Sequence, residues 1–234
     1  MRVAIHQPQY FPWPPYFHKV LSADVFIYLD TVQFSKNGFQ NRNQVRTAEG
    51  PCWLTLPVRH RFGQTLRETR VGDPKAFEKH LKTLASNYAR TEGYKRWRAE
   101  LEALLVGAPD EPLAEVGIRT TRWLLEKLGG KTKTLRASEL PETAAKKNDL
   151  ILELCARVHA TTYLSGSGGA AYVRPEGFRA LGCEIVVQEC GAAPYPQAFP
   201  GTAFVPGLSA LDLVLNRPDD AREIIERSCR WRPL

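Results

Sequence analysis

The sequence predicts an α/β fold with a mostly parallel, Rossmann-like sheet and helices in layers on both faces. Two observations support this three-layer architecture. Short runs rich in β-branched and aromatic residues alternate with amphipathic segments, and the alternation is most regular after residue 131. Such alternation is typical of parallel strands joined by right-handed crossovers. We expect one α/β domain over residues 1–234, with a helical segment at residues 73–130 packed on it or inserted into it.

The first third of the chain alternates between apolar runs and polar connections. Strands are predicted at residues 2–6, 23–29, 53–58 and 68–72. A two-turn helix fits residues 16–22, because the prolines before it are tolerated in the first turn of a helix. Residues 30–47 are polar and rich in amide side chains, and we interpret them as a connection.

The spacing of apolar residues becomes helical at Asp73, which is a favourable N-cap followed by Pro74. Helices are predicted at residues 73–90, 94–105 and 111–128. Beyond them, strands are predicted at residues 132–140, 161–169 and 183–190, and helices at residues 146–160, 172–182, 208–216 and 218–228. The second of these strands ends in the glycine-rich turn SGSGG, at residues 165–169.

The net charge of +7 indicates an anionic partner. The basic residues are spread along the chain without a block of like charges, which argues against nucleic acid and favours an anionic small molecule. No stretch approaches the roughly 20 apolar residues of a spanning helix, so we expect no membrane insertion. The sequence does not indicate an oligomeric state.

We expect a cytoplasmic location with reduced thiols. The first residues do not match a signal peptide, since His6 and Gln7 interrupt a short apolar run. The five cysteines form no CxxC pair, and an odd number of cysteines in such a chain predicts free thiols.

Ligands of open parallel sheets bind at the carboxyl ends of the strands, where four polar segments follow predicted strands. The first is HQPQYFPW, in which prolines would hold His6, Gln7, Gln9 and Tyr10 rigidly at the mouth of a site. The others are residues 30–43, 165–172 and 187–197. A structural interpretation of the first segment stays open, because a proline-aromatic loop is often only a lid and His6 would then be a core histidine.

The second segment carries the densest group of polar side chains. Asp30 follows an apolar strand, where a carboxylate can face the site as a general base or simply form a turn. Lys36 and Arg42 would hold phosphate or carboxylate groups, while Asn41 and Asn43 offer both donors and acceptors. The alternative for this cluster is a solvated loop.

Several other kinds of site are not indicated. The chain has no GxSxG elbow and no HExxH motif, and its five histidines do not cluster, so no metal site is predicted. The SGSGG turn matches neither GxGxxG nor GxxxxGK[ST]. No cofactor is assigned beyond a nucleotide or an acyl donor.

Several stretches resemble the WbqC-like protein family, a bacterial family often encoded among O-antigen and surface-polysaccharide genes. They are IHQPQYFPWPPYFHKV, ADVFIYLDTVQFSKNGFQNRNQVRT, WLTLPV, YLSGSGGAAYV and FVPGLSALDLVLN. The resemblance covers nearly the whole chain, with Pro15 where the family pattern has glycine. It extends the candidate substrate-binding residues to Gln33, Ser165, Gly166, Tyr172 and Gln188, and it also marks Gln197, Ser209 and Asp212.

The resemblance implies a transferase that acts on a phosphorylated or nucleotide-linked small molecule. Acyl or aminoacyl transfer in surface-glycan biosynthesis, as for O-antigen and lipopolysaccharide, is the reaction that it suggests. His6, Asp30 and Lys36 are the candidate catalytic residues, with His6 or Asp30 as the general base. The amides of Gln7, Gln9, Asn41 and Asn43 would orient the substrate.

Three alternative functions stay open. The stretch from Pro12 to His18 is similar to the opening of nucleotidylyltransferases, which suggests nucleotidyl transfer or adenylation, although the paired HxGH spacing is missing. A noncatalytic protein that binds a sugar or a nucleotide is the second alternative. An RNA-binding protein that uses residues 59–70 and 90–98 is the third.

Overall fold

A computed structural model describes residues 1–170 and 173–234. The strands in these residues are β1 (Arg2–His6), β2 (Val25–Tyr28), β3 (Arg42–Thr47), β4 (Gly50–Thr55), β5 (Val58–Arg59), β6 (Arg70–Val71), β7 (Lys133–Arg136), β8 (Thr162–Ser165), β9 (Glu184–Cys190) and β10 (Cys229–Pro233). The helices are α1 (Pro14–Ser22), α2 (Lys75–Tyr88), α3 (Glu92–Leu104), α4 (Leu113–Lys127), α5 (Lys147–Arg157), α6 (Ser167–Ala170), α7 (Pro175–Ala180), α8 (Ala210–Asn216) and α9 (Ala221–Ser228).

The central sheet has six strands in the order β10-β9-β8-β1-β2-β7. Its first five strands along the chain are parallel, and β10 joins β9 in the antiparallel direction. The chain moves from β1 outward through β2 to β7, then returns to the other side of β1 to form β8 and β9. The direction of progress through the sheet therefore reverses between β1 and β8.

Helices cover both faces of the sheet. Successive residues of each buried strand point to opposite sides, so one strand contributes to the apolar clusters on both faces. Ala4 of β1 belongs to an apolar cluster with α1, α2, α3, α4, α8 and α9. Val3 and Ile5 belong to a second cluster with α5 and α7, represented by Leu154 and Phe178. One continuous apolar cluster thus joins the helices of residues 73–130 to the sheet. In the described residues, no helix is both long and apolar enough to cross a membrane.

Most of the predicted elements are confirmed, but three strands were not predicted. One is the two-residue strand β5, because the strand predicted at residues 53–58 ends at Thr55 and β5 begins at Val58. Residues 42–47 of the expected polar connection form β3, which pairs with β4 in a hairpin. The terminal residues Cys229–Pro233 form β10 at the edge of the sheet. β3 and β10 contain polar or basic residues where an apolar run would signal a strand, so their pairing rather than their composition defines them.

The expectation of five reduced thiols is wrong. Cys190 and Cys229 lie directly opposite each other in the β9–β10 pair and form a disulfide, while Cys52, Cys155 and Cys183 are free. The two bonded cysteines are 39 residues apart in the chain. Only the pairing of the unpredicted strand β10 brings them together.

Candidate functional site

The carboxyl ends of β1 and β8 form the candidate site. β1 ends at His6, β8 ends at Ser165, and Gly166 follows directly. Because the strand order reverses between these two strands, their ends lie at the switch point where open α/β sheets bind ligands.

Helix α1 places Lys19 at this point. The side chain is only 5% exposed, and a Cβ on Gly166 would lie 3.3 Å from its Nζ. No residue in the described part of the chain pairs with this amino group, and burial alone lowers the pKa of Lys19 to about 7. A buried amine with a perturbed pKa at such a switch point is typical of a functional site. We call the space outside the carboxyl ends of β1 and β8 the crevice.

Sequence reasoning missed Lys19, although a signal for it exists. Lys19 follows Tyr16 by three residues, so the two side chains share one side of α1. Tyr16 is fully buried against the sheet. A lysine at this spacing on a short apolar helix is expected to be drawn inward.

His6 packs edge-on against Tyr16, with ring centroids 4.8 Å apart, and it lies close enough to Lys19 for the charge of Lys19 to act on it. Its Nδ1 lies 3.1 Å from the carbonyl oxygen of Gln7, which can only accept, so Nδ1 carries the proton and Nε2 keeps its lone pair. Burial, together with the charge of Lys19, lowers the pKa of His6 to about 3. His6 is therefore a neutral imidazole, with Nε2 available to accept a proton or a hydrogen bond.

Two amide side chains fix the polar edge of this crevice. Gln40 Nε2 donates to Gln7 Oε1 at 2.6 Å, and Gln40 Oε1 accepts from the backbone N–H of Ser35 at 2.8 Å. The turn that contains Ser35 is therefore attached to the residue after His6. Ser165 is buried, and its hydroxyl donates to the carbonyl oxygen of Gly166 at 3.1 Å.

The HQPQYFPW loop is anchored from behind by the carbonyl oxygen of Phe11. This oxygen accepts from Asn43 Nδ2 at 2.7 Å and from Ser209 Oγ at 2.6 Å. Ser209 also caps α8, because its Oγ accepts from the N–H of Leu211. The opening loop, the QNRN stretch and the start of α8 therefore meet at one backbone group.

A comparison of the whole sequence identifies the family. The profile of the WbqC-like protein family matches residues 7–224. The chain belongs to this family. A relative of this WbqC-like protein, the uncharacterized protein Rv1507c of Mycobacterium tuberculosis, is 30% identical over 232 residues, which cover 98% of this chain and 99% of the relative. No solved structure matches the chain.

Several motif positions of this WbqC-like protein contribute to its packing. Tyr10 is buried and bonds His80 Nδ1 through its hydroxyl at 2.9 Å. Asn41 Nδ2 donates to the carbonyl oxygen of Leu56 at 2.8 Å, and Gln197 forms two hydrogen bonds with the backbone of Val205. These side-chain amides are engaged by the protein itself.

Asp212 forms a second buried polar cluster. It accepts hydrogen bonds from the hydroxyls of Tyr88 and Tyr195 and, at 3.4 Å, from the backbone N–H of Arg46. Burial raises the pKa of Asp212, although these donors oppose the shift. The cluster ties α2, α8 and the loop before α8 together.

We expect Asn43→Ala to lower the free energy of unfolding by about 1–3 kcal/mol, because it removes the hydrogen bond to Phe11 and the acceptor for the N–H of Gln44. Urea unfolding of Asn43→Ala and of Gln33→Ala, which truncates an exposed amide, measures the difference. Equal stability of the two variants would return Asn43 to the group of ligand-binding candidates.

The other catalytic candidates do not meet at the crevice. The carboxylate of Asp30 accepts from Ser138 twice, from its N–H at 3.0 Å and from its hydroxyl at 2.6 Å, on the β7 side of the sheet. Lys36 and Gln33 are exposed in the connection after β2. Arg42 lies over the ring of Trp53 on the β3–β4 hairpin.

Gln188 and His18 lie toward β9 and β10. Gln188 Nε2 donates to the carbonyl oxygen of Pro15 and to His18 Nδ1, both at 2.9 Å, and His18 stacks on Trp231.

Gln9 is buried, and its Oε1 has no hydrogen-bond partner among the described residues. Tyr172 lies outside the described residues.

The described residues do not form a metal centre. Within residues 1–170 and 173–234, no three His, Cys, Asp or Glu side chains come close enough to hold a metal ion. The crevice is therefore characterised by one buried amine, one neutral imidazole and the surrounding backbone and amide groups.

Proposed function

We propose that this protein is a transferase that binds an activated, anionic small molecule in the crevice between β1 and β8. The observation that carries the proposal is the buried amino group of Lys19, which faces Gly166 and has no carboxylate partner among the described residues. A buried ammonium group is costly unless an anion pairs with it. A phosphate or another anionic part of a substrate would supply that partner.

Acyl or aminoacyl transfer fits this set of groups. An amine or hydroxyl of the acceptor would attack the carbonyl carbon of the activated acyl group, forming the new bond while the bond to the leaving group breaks. His6 Nε2 would take the proton of the acceptor, and Lys19 would stabilise the anionic leaving group as it departs with the bonding electron pair. A bound anion would raise the pKa of His6 from about 3 toward the range of a useful base.

Surface-glycan biosynthesis is the context that the family suggests for this reaction, with a nucleotide-linked or acyl donor as co-substrate. We also propose that the chain forms a single domain, in which residues 73–130 pack on the sheet.

The proposed location of the protein is the cytoplasm. The Cys190–Cys229 disulfide is the feature that argues against that location, since disulfides are rare in cytosolic proteins.

Nucleotidyl transfer is less well supported than acyl transfer. That reaction would need His18 beside the transferring phosphate, whereas His18 is held between Gln188 and Trp231. A noncatalytic binding protein would use the same crevice, so turnover must be measured together with binding.

A thermal-shift screen at constant ionic strength tests the proposal. Nucleoside triphosphates, nucleotide-sugars and acyl-CoAs are each added to the intact protein at pH 6.5. A ligand at a hundred times its dissociation constant stabilises the fold by about 2.7 kcal/mol, which is a clear shift of the midpoint. Mass spectrometry then follows transfer from the bound donor to an amino sugar. Binding without transfer would make the protein an accessory, and silence from all three classes would contradict the proposal.

We also expect the affinity for an anionic ligand to fall as the pH rises above about 7. The free Lys19 loses its proton near that pH, whereas the anion holds the proton in the complex. Binding is therefore strongest below pH 7 and weakens by up to about tenfold per pH unit above it, until the higher pKa of the complex is reached. Isothermal titration between pH 6 and pH 9.5 measures the slope, and a constant affinity over this range would rule out Lys19 as the anchor.

A further inference from the structure

An exposed group of flat side chains lies on the β3–β4 hairpin. Phe39 is 45% and Trp53 is 40% exposed, and their ring centroids are 6.1 Å apart. The guanidinium carbon of Arg42 lies 4.3 Å from the centroid of the Trp53 ring. We call these three residues the aromatic shelf.

The hairpin register builds this shelf. Trp53 lies directly opposite Gln44, and Arg42 precedes Gln44 by two residues on the same strand. Arg42 and Trp53 are therefore diagonal neighbours on one face of the hairpin, close enough for long side chains to touch.

The guanidinium of Arg42 is fixed over the ring of Trp53. Its Nη2 donates to the carbonyl oxygen of Asn37 at 2.8 Å, which fixes the guanidinium over the ring. Its Nε is buried and has no hydrogen-bond partner among the described residues. A planar cation fixed in this way is preorganised for a flat ligand.

The shelf borders the crevice through its neighbours in the chain. The carbonyl oxygen of Phe39 accepts from the backbone N–H of Tyr10 at 3.2 Å. The next residue, Gln40, bonds the side chain of Gln7, which follows His6 at the end of β1. The segment that carries Phe39 is therefore hydrogen-bonded to the loop that follows β1.

We propose that the aromatic shelf binds the nucleobase of a nucleotide-linked substrate whose phosphate groups reach Lys19. This inference rests on the proposed function, because it names the part of the activated substrate that lies outside the crevice. Bases stack on aromatic rings and on guanidinium planes through faces that every base possesses. The exposed Lys36, in the turn before Phe39, adds positive charge to the connection that carries the shelf.

Titration calorimetry with ADP, CDP, GDP and UDP tests the shelf in the intact protein. We expect at least one of them to bind, with an affinity at least tenfold weaker in Trp53→Ala and in Arg42→Ala. Phe62→Ala is the matched control, since this aromatic side chain is 97% exposed and lies outside the shelf, and its affinity should stay within twofold of the wild type. Unchanged circular dichroism spectra establish that each variant is folded.

Inorganic pyrophosphate separates failure of the shelf from failure of the crevice, because it carries the anion without a base. A nucleoside diphosphate that binds equally well to wild type and Trp53→Ala, but not to Lys19→Met, would overturn the shelf and leave the crevice intact. Binding of pyrophosphate without binding of any nucleoside diphosphate would do the same. If neither pyrophosphate nor any nucleoside diphosphate binds the wild type, the shelf is overturned, and silence in the thermal-shift screen as well would overturn the crevice.

Discussion

Replacing Lys19 by methionine is expected to stabilise the fold and to abolish ligand binding. Burial lowers the pKa of Lys19 from 10.5 to about 7, so the charged form is disfavoured in the folded protein. At 1.36 kcal/mol per pKa unit, this shift destabilises the folded state by on the order of 5 kcal/mol below pH 7. Methionine fills a similar volume without a charge, and it cannot pair with an anion.

The stability difference between Lys19→Met and the wild type depends on pH. Between pH 7 and pH 10.5 the unfolded chain binds more protons at Lys19 than the folded chain does, so the wild type gains stability as the pH rises. The advantage of Lys19→Met should be greatest at or below pH 7 and disappear near pH 10.5. Urea unfolding at several pH values measures it, with the exposed Lys82→Met as the control. If Lys19→Met is less stable than the wild type at pH 7, Lys19 stabilises the fold by packing, which would contradict a buried amine that destabilises it.

Breaking the Cys190–Cys229 disulfide is expected to lower the free energy of unfolding by about 4 kcal/mol. The bond closes a loop of 39 residues, and cross-linking a loop of this length restricts the unfolded chain by roughly that amount. It also fastens the edge strand β10, whose Trp231 packs on His18 and donates to Ser22 Oγ at 3.2 Å.

Unfolding in urea with and without a reductant measures the contribution of the disulfide. The wild type should lose stability in the reductant, whereas the double variant Cys190→Ala, Cys229→Ala should be weak under both conditions. Cys52→Ala, which removes a free thiol, should behave as the wild type does. Identical unfolding of the wild type with and without reductant would show that the bond is absent from the protein in solution.

The sequence was most informative where burial and periodicity coincide. β1, β2, β8 and β9 are dense in apolar residues, so each was predicted near its observed position. β3 and β10 contain Arg42, Asn43 and Arg230, which an isolated strand does not favour. The partner of β10 lies far away in the chain, and local composition does not encode such long-range pairing. The partner of β3 is the next strand of a hairpin, so only the polar composition of β3 concealed it.

The site was partly predictable for the same reason. The positions of His6, Gln7, Ser165 and Gly166 follow from strand ends and were anticipated. The role of Lys19 depends on how α1 is rotated against the sheet, which the strand pattern does not determine. Asn43 and Ser209 serve the carbonyl oxygen of Phe11, a contact between three distant motifs that no single stretch of sequence reveals.

The ionisation of Lys19 itself tests the central claim most directly. Protein labelled with ¹³C at lysine Cε is titrated by NMR from pH 5 to pH 11, and the Lys19 signal is identified by its absence from Lys19→Met. We predict a pKa near 7 in the free protein and a clear upward shift when an anionic ligand binds. An ordinary lysine pKa of about 10.4 that no ligand changes would contradict the account.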